Sequence, residues 1–163
     1  MERNRVRIIG GAWRSRVLRF PHTADLRPTP DRVRETLFNW LGQTLEGLAC
    51  LDLFAGSGAL GFEAASRGAR SVTLVERNPA AFRALQDNRR LLGASQVELV
   101  RGDALLFLKH DRRRFDVVFL DPPYRLSLLP SLLEQLPGHL EPGARIYLEG
   151  ERAPENIKRY MAL

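Results

Sequence analysis

Five short apolar runs punctuate the chain from residue 48 onward, and between them the apolar residues fall at helical spacing. Leu48 to Phe54, Val72 to Glu76, Val97 to Val100, Phe115 to Leu120 and Ala144 to Glu149 have the length and composition of buried parallel strands. Phe62 to Arg67 resumes a helical pattern after the first run. Pro79 to Leu92 carries Ala80, Phe82, Ala84, Leu85, Leu91 and Leu92 as apolar members, a helix opens after Asp103, and Leu126, Leu129, Leu133, Leu136 and Leu140 mark another. This alternation predicts an α/β fold with a doubly wound, mostly parallel sheet, in which ligands bind beyond the carboxyl ends of the strands.

Upstream the pattern changes. Val6 to Ile9, Gly10-Gly11 and Trp13 to Phe20 read as two short strands around a glycine turn, with Trp13 either covering the hairpin or stacking on a base. Pro21 to Pro28 reads as a loop. Thr29 is placed to cap a helix whose first residue is Pro30 and whose buried stripe is Val33, Leu37, Leu41 and Leu45. Residues 1–46 are thus expected to form a small hairpin-plus-helix extension packed on a main domain of residues 47–163.

The first strand runs into Gly56-Ser57-Gly58-Ala59-Leu60-Gly61, a strand, glycine turn and helix. Glycines at 56 and 58 permit positive φ and close approach of a ligand, and Gly61 lets the helix pack tightly on its strand. This Gly-x-Gly-x-x-Gly spacing also serves dinucleotides, with an acid about 20 residues on for the ribose, a place Glu76 fills. Asp52 separates the two ligands. A carboxylate immediately before the turn repels a pyrophosphate and attracts the ammonium and sulfonium groups of S-adenosylmethionine (SAM). We therefore expect Asp52, Phe54, Ala55, Gly56, Ser57 and Gly58 to line a SAM site. Glu76 would hold the ribose hydroxyls through paired acceptors and Asp103 the adenine amino group, with Arg77 and Ala104 also among the expected cofactor-binding residues. A helix cap is the competing role for Asp103.

Phe115 to Leu120 leads directly into Asp121-Pro122-Pro123-Tyr124. Two successive prolines make a stiff loop whose carbonyls are uncommitted acceptors, and a carboxylate beside them completes an acceptor cluster. Such a cluster can grip both protons of an exocyclic base amine and aim the nitrogen at a methyl donor, with Tyr124 stacked on the ring; catalysis is then mainly positioning. Asp121 can also take the amine proton. Asp52, Glu76, Asp103 and Asp121 all fall at or near strand ends, and their coincidence with the glycine turn carries the functional reading.

Charge adds a partner. The formal net charge is +6, and residues 1–34 hold all of it, with nine arginines against Glu2, Asp25 and Asp31. A basic lobe on a neutral domain suits a polyanion, with Arg5, Arg7, Arg14, Arg16, Arg27, Arg32 and Arg34 as candidate RNA contacts; a merely solvated surface is the alternative. Cys50 is the only cysteine, which excludes an intrachain disulfide and reads as a buried, inert thiol. No apolar run reaches membrane-spanning length and the arginine-rich start lacks a secretory signal's apolar segment, so no membrane partner and a cytoplasmic location are expected. His22, His110 and His139 are scattered, and no metal site is expected.

Several segments resemble one family. Arg7 to Arg14, Arg27 to Trp40, Asp52 to Gly61 and Asp121 to Tyr124 are similar to the bacterial small-subunit ribosomal RNA guanine-N2 methyltransferases of the RsmD family, over about residues 5 to 150. The resemblance implies a Rossmann-like SAM-dependent methyltransferase fold. It also implies methylation of the exocyclic N2 of one guanine in 16S rRNA, within an assembled or partly assembled small subunit; separately, a monomer is expected. By motif, Asp52 to Gly58, Glu76 and Asp103 then line the cofactor, Asp121 to Tyr124 hold the guanine, and the arginine-rich segment engages RNA. The family's sheet ends in a long antiparallel hairpin, and Glu151 to Leu163 look like fragments of it with intervening residues absent. The same chemistry also fits a DNA adenine-N6 or cytosine-N4 methyltransferase. A non-catalytic RNA-binding assembly factor would share the fold, and a dinucleotide oxidoreductase the glycine turn.

Overall fold

The computed structural model describes residues 4–22, 26, 29–122, 127–149 and 157–161. An antiparallel ribbon of β1 (Arg5–Arg7) and β2 (Val17–Arg19) and helix α1 (Asp31–Trp40) come first. The main sheet follows, from β3 (Ala49–Asp52), β4 (Ser71–Glu76), β5 (Val97–Arg101), β6 (Phe115–Leu120), β7 (Leu140–Glu149) and β8 (Ile157–Met161). Its connections hold α2 (Ala59–Ser66), α3 (Pro79–Leu92), α4 (Ala104–His110) and α5 (Leu129–Gln135).

Strand order is β5-β4-β3-β6-β7-β8, parallel as far as β7, with β8 antiparallel at the edge. The chain steps outward from β3 to β5, then returns through α4 to lay β6 on the other side of β3. The β3–β6 boundary is therefore the topological switch point, where a crevice opens at the carboxyl ends of the strands. The doubly wound, mostly parallel α/β fold is as the sequence indicates, and β6 and α3 span the expected residues. The β7–β8 connection, residues 150–156, lies outside the described residues, as does any test of residues absent there.

Several boundaries differ from those expected from sequence, and three of them have a physical reason on view. The two strands do pair around the glycines, but the second begins only at Val17; the turn, closed by Arg14 N–H to the Gly11 carbonyl at 3.2 Å, folds onto the C-terminal end of α2, where Ala12 N–H donates to the Ser66 carbonyl at 2.8 Å. Trp13 N–H donates to Ser66 Oγ at 2.9 Å, and Ser66 Oγ–H donates to the Gly10 carbonyl at 2.6 Å. Helix α1 starts at Asp31, with Pro30 at the cap position and no side-chain cap bond, so Thr29 is not the cap. Helix α5 ends at Gln135 because Pro137 initiates a 3₁₀ turn, Leu136–His139, and Leu140 already belongs to β7.

Apolar side chains pack on both faces of the sheet. On one face Val6, Ile8, Leu18, Leu37 and Phe38 from residues 4–46 join Phe62, Ala65, Leu74 and Phe119 in one cluster, with Trp13 half-buried against it. On the other, Leu51, Val75, Val118 and Leu120 meet Leu108, Leu132 and Leu136. Helix α2 lies between sheet and extension and is buried along its whole length. Gly61 permits its close approach to β4, since a Cβ there would sit 2.1 Å from Leu74 Cδ2. Cys50 is buried, and desolvation pushes its thiol up to about 12, as an inert core residue requires.

Candidate active site

A cavity of about 460 Å³ opens at the carboxyl ends of β3, β4, β5 and β6, a size suited to a nucleoside-sized ligand. Each strand brings an acid to or toward it, and each acid is held differently.

Asp52 ends β3 and is 3% exposed. Its carboxylate accepts from Phe54 N–H at 3.1 Å, which favours the charged form, yet the group is pushed up to about 8. Desolvation is the main cause, and the negative charges of Asp121 and Glu76 add to it. A buried carboxyl in this condition gains from an incoming cation, which favours its charged form.

Glu76 ends β4 and organises the turn. Its Oε1 accepts from Gly56 N–H at 2.7 Å and its Oε2 from Asn78 N–H at 3.0 Å. Each carboxylate oxygen retains acceptor capacity, so the group can still receive the two hydroxyls of a ribose. Asn78 in turn caps α3, its Oδ1 accepting from Ala81 N–H at 2.9 Å. Asp103 caps α4, accepting from Leu106 N–H at 3.0 Å, and also borders the cavity. The two readings of this residue are thus compatible: one oxygen secures the helix while the side chain stays at the rim.

Of the cofactor candidates, Asp52, Phe54, Ala55, Gly56, Ser57, Glu76, Arg77, Asp103 and Ala104 line the cavity. Gly58 does not line it. It sits at the α2 N-cap with φ 85°, where a Cβ would meet Phe62 Cδ2 at 2.6 Å and Leu85 Cδ2 at 2.8 Å. Asp121 stands exposed at the end of β6 and shares the cavity wall, and Pro122 follows half-buried. Pro123 and Tyr124 lie outside the described residues, as does Arg27. Leu26, Thr29, Asn78 and Leu128 also line the cavity and are not among the site residues expected from sequence, where Thr29 reads only as a helix cap; Asn78-Pro79, a helix-cap dipeptide, carries a local signal.

The arginines divide. Arg5 and Arg7 point outward from the ribbon, and Arg14, Arg16 and Arg32 are also exposed, although 14 and 16 sit in the loop rather than in a strand. Arg16 Nη2 donates to the Leu91 carbonyl at 3.1 Å. Arg19, not among the candidates, is exposed and pairs in register with Arg5. Arg34 is a correction. It is 1% exposed, its guanidinium ion-paired to the fully buried Glu63 at 3.1 Å, and cannot meet RNA phosphate. Glu63 also accepts from Ile9 and Gly10 N–H at 2.9 Å each and from Arg67 Nε at 2.9 Å.

Comparison with known proteins fits this geometry. Residues 6–163 match the family model described as Conserved hypothetical protein 95. The chain belongs to that family. It is 47% identical over 148 residues to ribosomal RNA small subunit methyltransferase D of Escherichia coli (strain K12), covering 90% of this chain and 75% of the relative. With the Haemophilus influenzae protein of the same name, identity is 45%, covering 93% and 84%. A solved structure titled putative methyltransferase yhhF from Escherichia coli superposes with a TM-score of 0.83 at 45% identity, covering 92% of this chain and 84% of that one. The family resemblance drawn from the motifs is borne out, and so is the Rossmann-like fold. The family is one of methyltransferases, and the cofactor it implies is SAM. The donor set fits: a buried carboxylate at the glycine turn for the cationic end, and a paired acceptor at Glu76 for the diol. When bound, SAM supplies an electrophilic methyl group on a sulfonium.

Proposed function

We propose that the chain methylates the exocyclic N2 amine of a guanine in small-subunit ribosomal RNA. The observation that carries this is the convergence of Asp52, Glu76, Asp103 and Asp121 on one cavity at the switch point, with Asp121 on the side away from the Glu76 ribose position. Asp52 attracts the amino-acid end of the cofactor, Glu76 its ribose, and Asp103 its adenine rim. Asp121 and the carbonyl of Pro122 receive the protons of the base amine and hold its nitrogen in line with the methyl. Bound SAM would supply the methyl group and leave as a neutral thioether, and Asp121 or water would take the amine proton. Removing bulk water from such an arrangement and fixing the reactants can supply about 7–11 kcal/mol of the barrier.

In this reading residues 1–46 are the RNA-engaging extension, with Arg5, Arg7, Arg14, Arg16, Arg19 and Arg32 facing phosphate, and 47–163 the methyltransferase domain. The substrate is an assembled or partly assembled small subunit, met by a monomer in the cytoplasm. The names of the relatives support ribosomal RNA as substrate, and the opposed arginines of the ribbon support a polyanion. Among the described residues no helix is long and apolar enough to cross a membrane.

The test is methyl transfer from radiolabelled SAM to small subunits, naked rRNA and duplex DNA, by wild type and Asp121→Ala. Transfer to small subunits or rRNA, reduced roughly 10²–10⁴-fold in the variant with SAM affinity retained, is the expected result. Product on DNA alone, or undiminished transfer by the variant, contradicts it.

A further inference from the structure

One guanidinium joins the ribbon, the helix behind the glycine turn and the outer wall of the cavity. Arg34 Nε donates to the Thr29 carbonyl at 3.1 Å, and Thr29 lines the cavity. Arg34 Nη1 donates to the Arg7 carbonyl at 2.9 Å, in the outward-facing ribbon, and to Glu63 Oε1 at 3.1 Å, in α2. Its Nη2 bonds Asp31 at the start of α1. Leu26 also lies over the glycine turn, close enough that a Cβ added at Gly56 would come within 3.2 Å of its Cδ1. Glu63, the anchor of the junction, sits in α2, whose N-terminal cap is Gly58.

A buried cation with four separate acceptors is not needed to close a core, because an apolar side chain fills such a space at lower desolvation cost. What the planar fork adds is geometry: it fixes several backbones at once, in directions a point charge does not specify. We propose that Arg34 is a positioning residue, setting the wall formed by Leu26 and Thr29 and the arginine ribbon in one relative placement, so that methyl donor and RNA meet in register. This rests on the reading of the extension as the RNA-facing part and of the cavity as the SAM site.

Arg34→Lys tests it, since lysine keeps a positive charge against Glu63 and loses the fork that holds Thr29 and Arg7 together. At a temperature well below its unfolding midpoint, the variant is expected to bind SAM about three- to tenfold more weakly by calorimetry. Its RNA affinity by filter binding should stay within twofold, because the phosphate-facing arginines are intact, and kcat on small subunits should fall by tenfold or more. Arg34→Met, which keeps bulk without hydrogen bonds, should show the same pattern more strongly. A purely structural role moves only the unfolding midpoint; SAM affinity and kcat within twofold of wild type in a folded Arg34→Lys protein overturn the proposal. If the site reading itself is at fault, wild type shows no SAM binding or no transfer to RNA, an outcome that overturns both and is distinct from the first.

Discussion

Substituting Asp52→Asn keeps the side chain's shape and removes its charge, and the consequence is opposite for the free protein and for its ligand. In the wild type the carboxyl is raised from 3.8 to about 8, mainly by desolvation. Between those values the folded protein holds a proton that the unfolded chain has released, so the unfolded state binds fewer protons and stability falls as pH rises through this window. At 1.36 kcal/mol per unit, the loss between pH 4 and pH 7 amounts to about 4 kcal/mol, an upper figure because the denatured chain is compact. Asparagine carries no such dependence. Even a quarter of that difference moves the unfolding midpoint by roughly 2–4 °C in a chain of this size. The variant is therefore expected to melt above wild type at pH 8, with the gap closing toward pH 4. SAM binding reverses the ranking. Because a cation favours the carboxylate, binding to wild type at pH 7 should release a proton, visible as a buffer-dependent heat in calorimetry. Affinity should rise by up to tenfold per pH unit until about pH 8, and Asp52→Asn should bind weakly with no such rise. A variant less stable than wild type at pH 8, or one that binds SAM as wild type does with no proton release, would refute the assignment of Asp52.

Other expectations follow from the same geometry. Arg34→Ala leaves Glu63 buried with less compensation and should cost about 3–5 kcal/mol in urea unfolding, whereas a loss under 1 kcal/mol would deny the junction its role. Gly58→Ala meets Phe62 and Leu85 at a left-handed backbone position, and about 1–3 kcal/mol of destabilisation from overpacking is expected by thermal melting. For RNA binding, Arg5→Ala or Arg19→Ala should each lower the slope of log affinity against log salt by about 0.7–0.9, and an unchanged slope would remove that residue from the interface.

The sheet was legible because its strands are continuous apolar runs and its helices obey a single period; β6 and α3 needed no tertiary information. The glycine turn and the strand-end acids were legible for the same reason, since parallel topology brings strand ends together whatever the loops do. What escaped was contact between the extension and α2. Arg34 reads locally as a helix charge beside an apolar stripe, and Glu63 as an ordinary helical acid; nothing within 29 positions of either says that they pair in the core. The Gly10-Gly11 turn was legible, but its docking on Ser66 was not. Leu26 and Thr29 carry no local signal of a site; both line the cavity through tertiary placement, with the Thr29 carbonyl bonded to Arg34.

The account is tested most directly by mapping modified nucleosides in small-subunit rRNA from cells that lack this gene, complemented with wild type or with Asp121→Ala. It predicts one N2-methylguanosine that disappears on deletion, returns with wild type and does not return with the variant. An rRNA modification map indistinguishable across all three strains would contradict it.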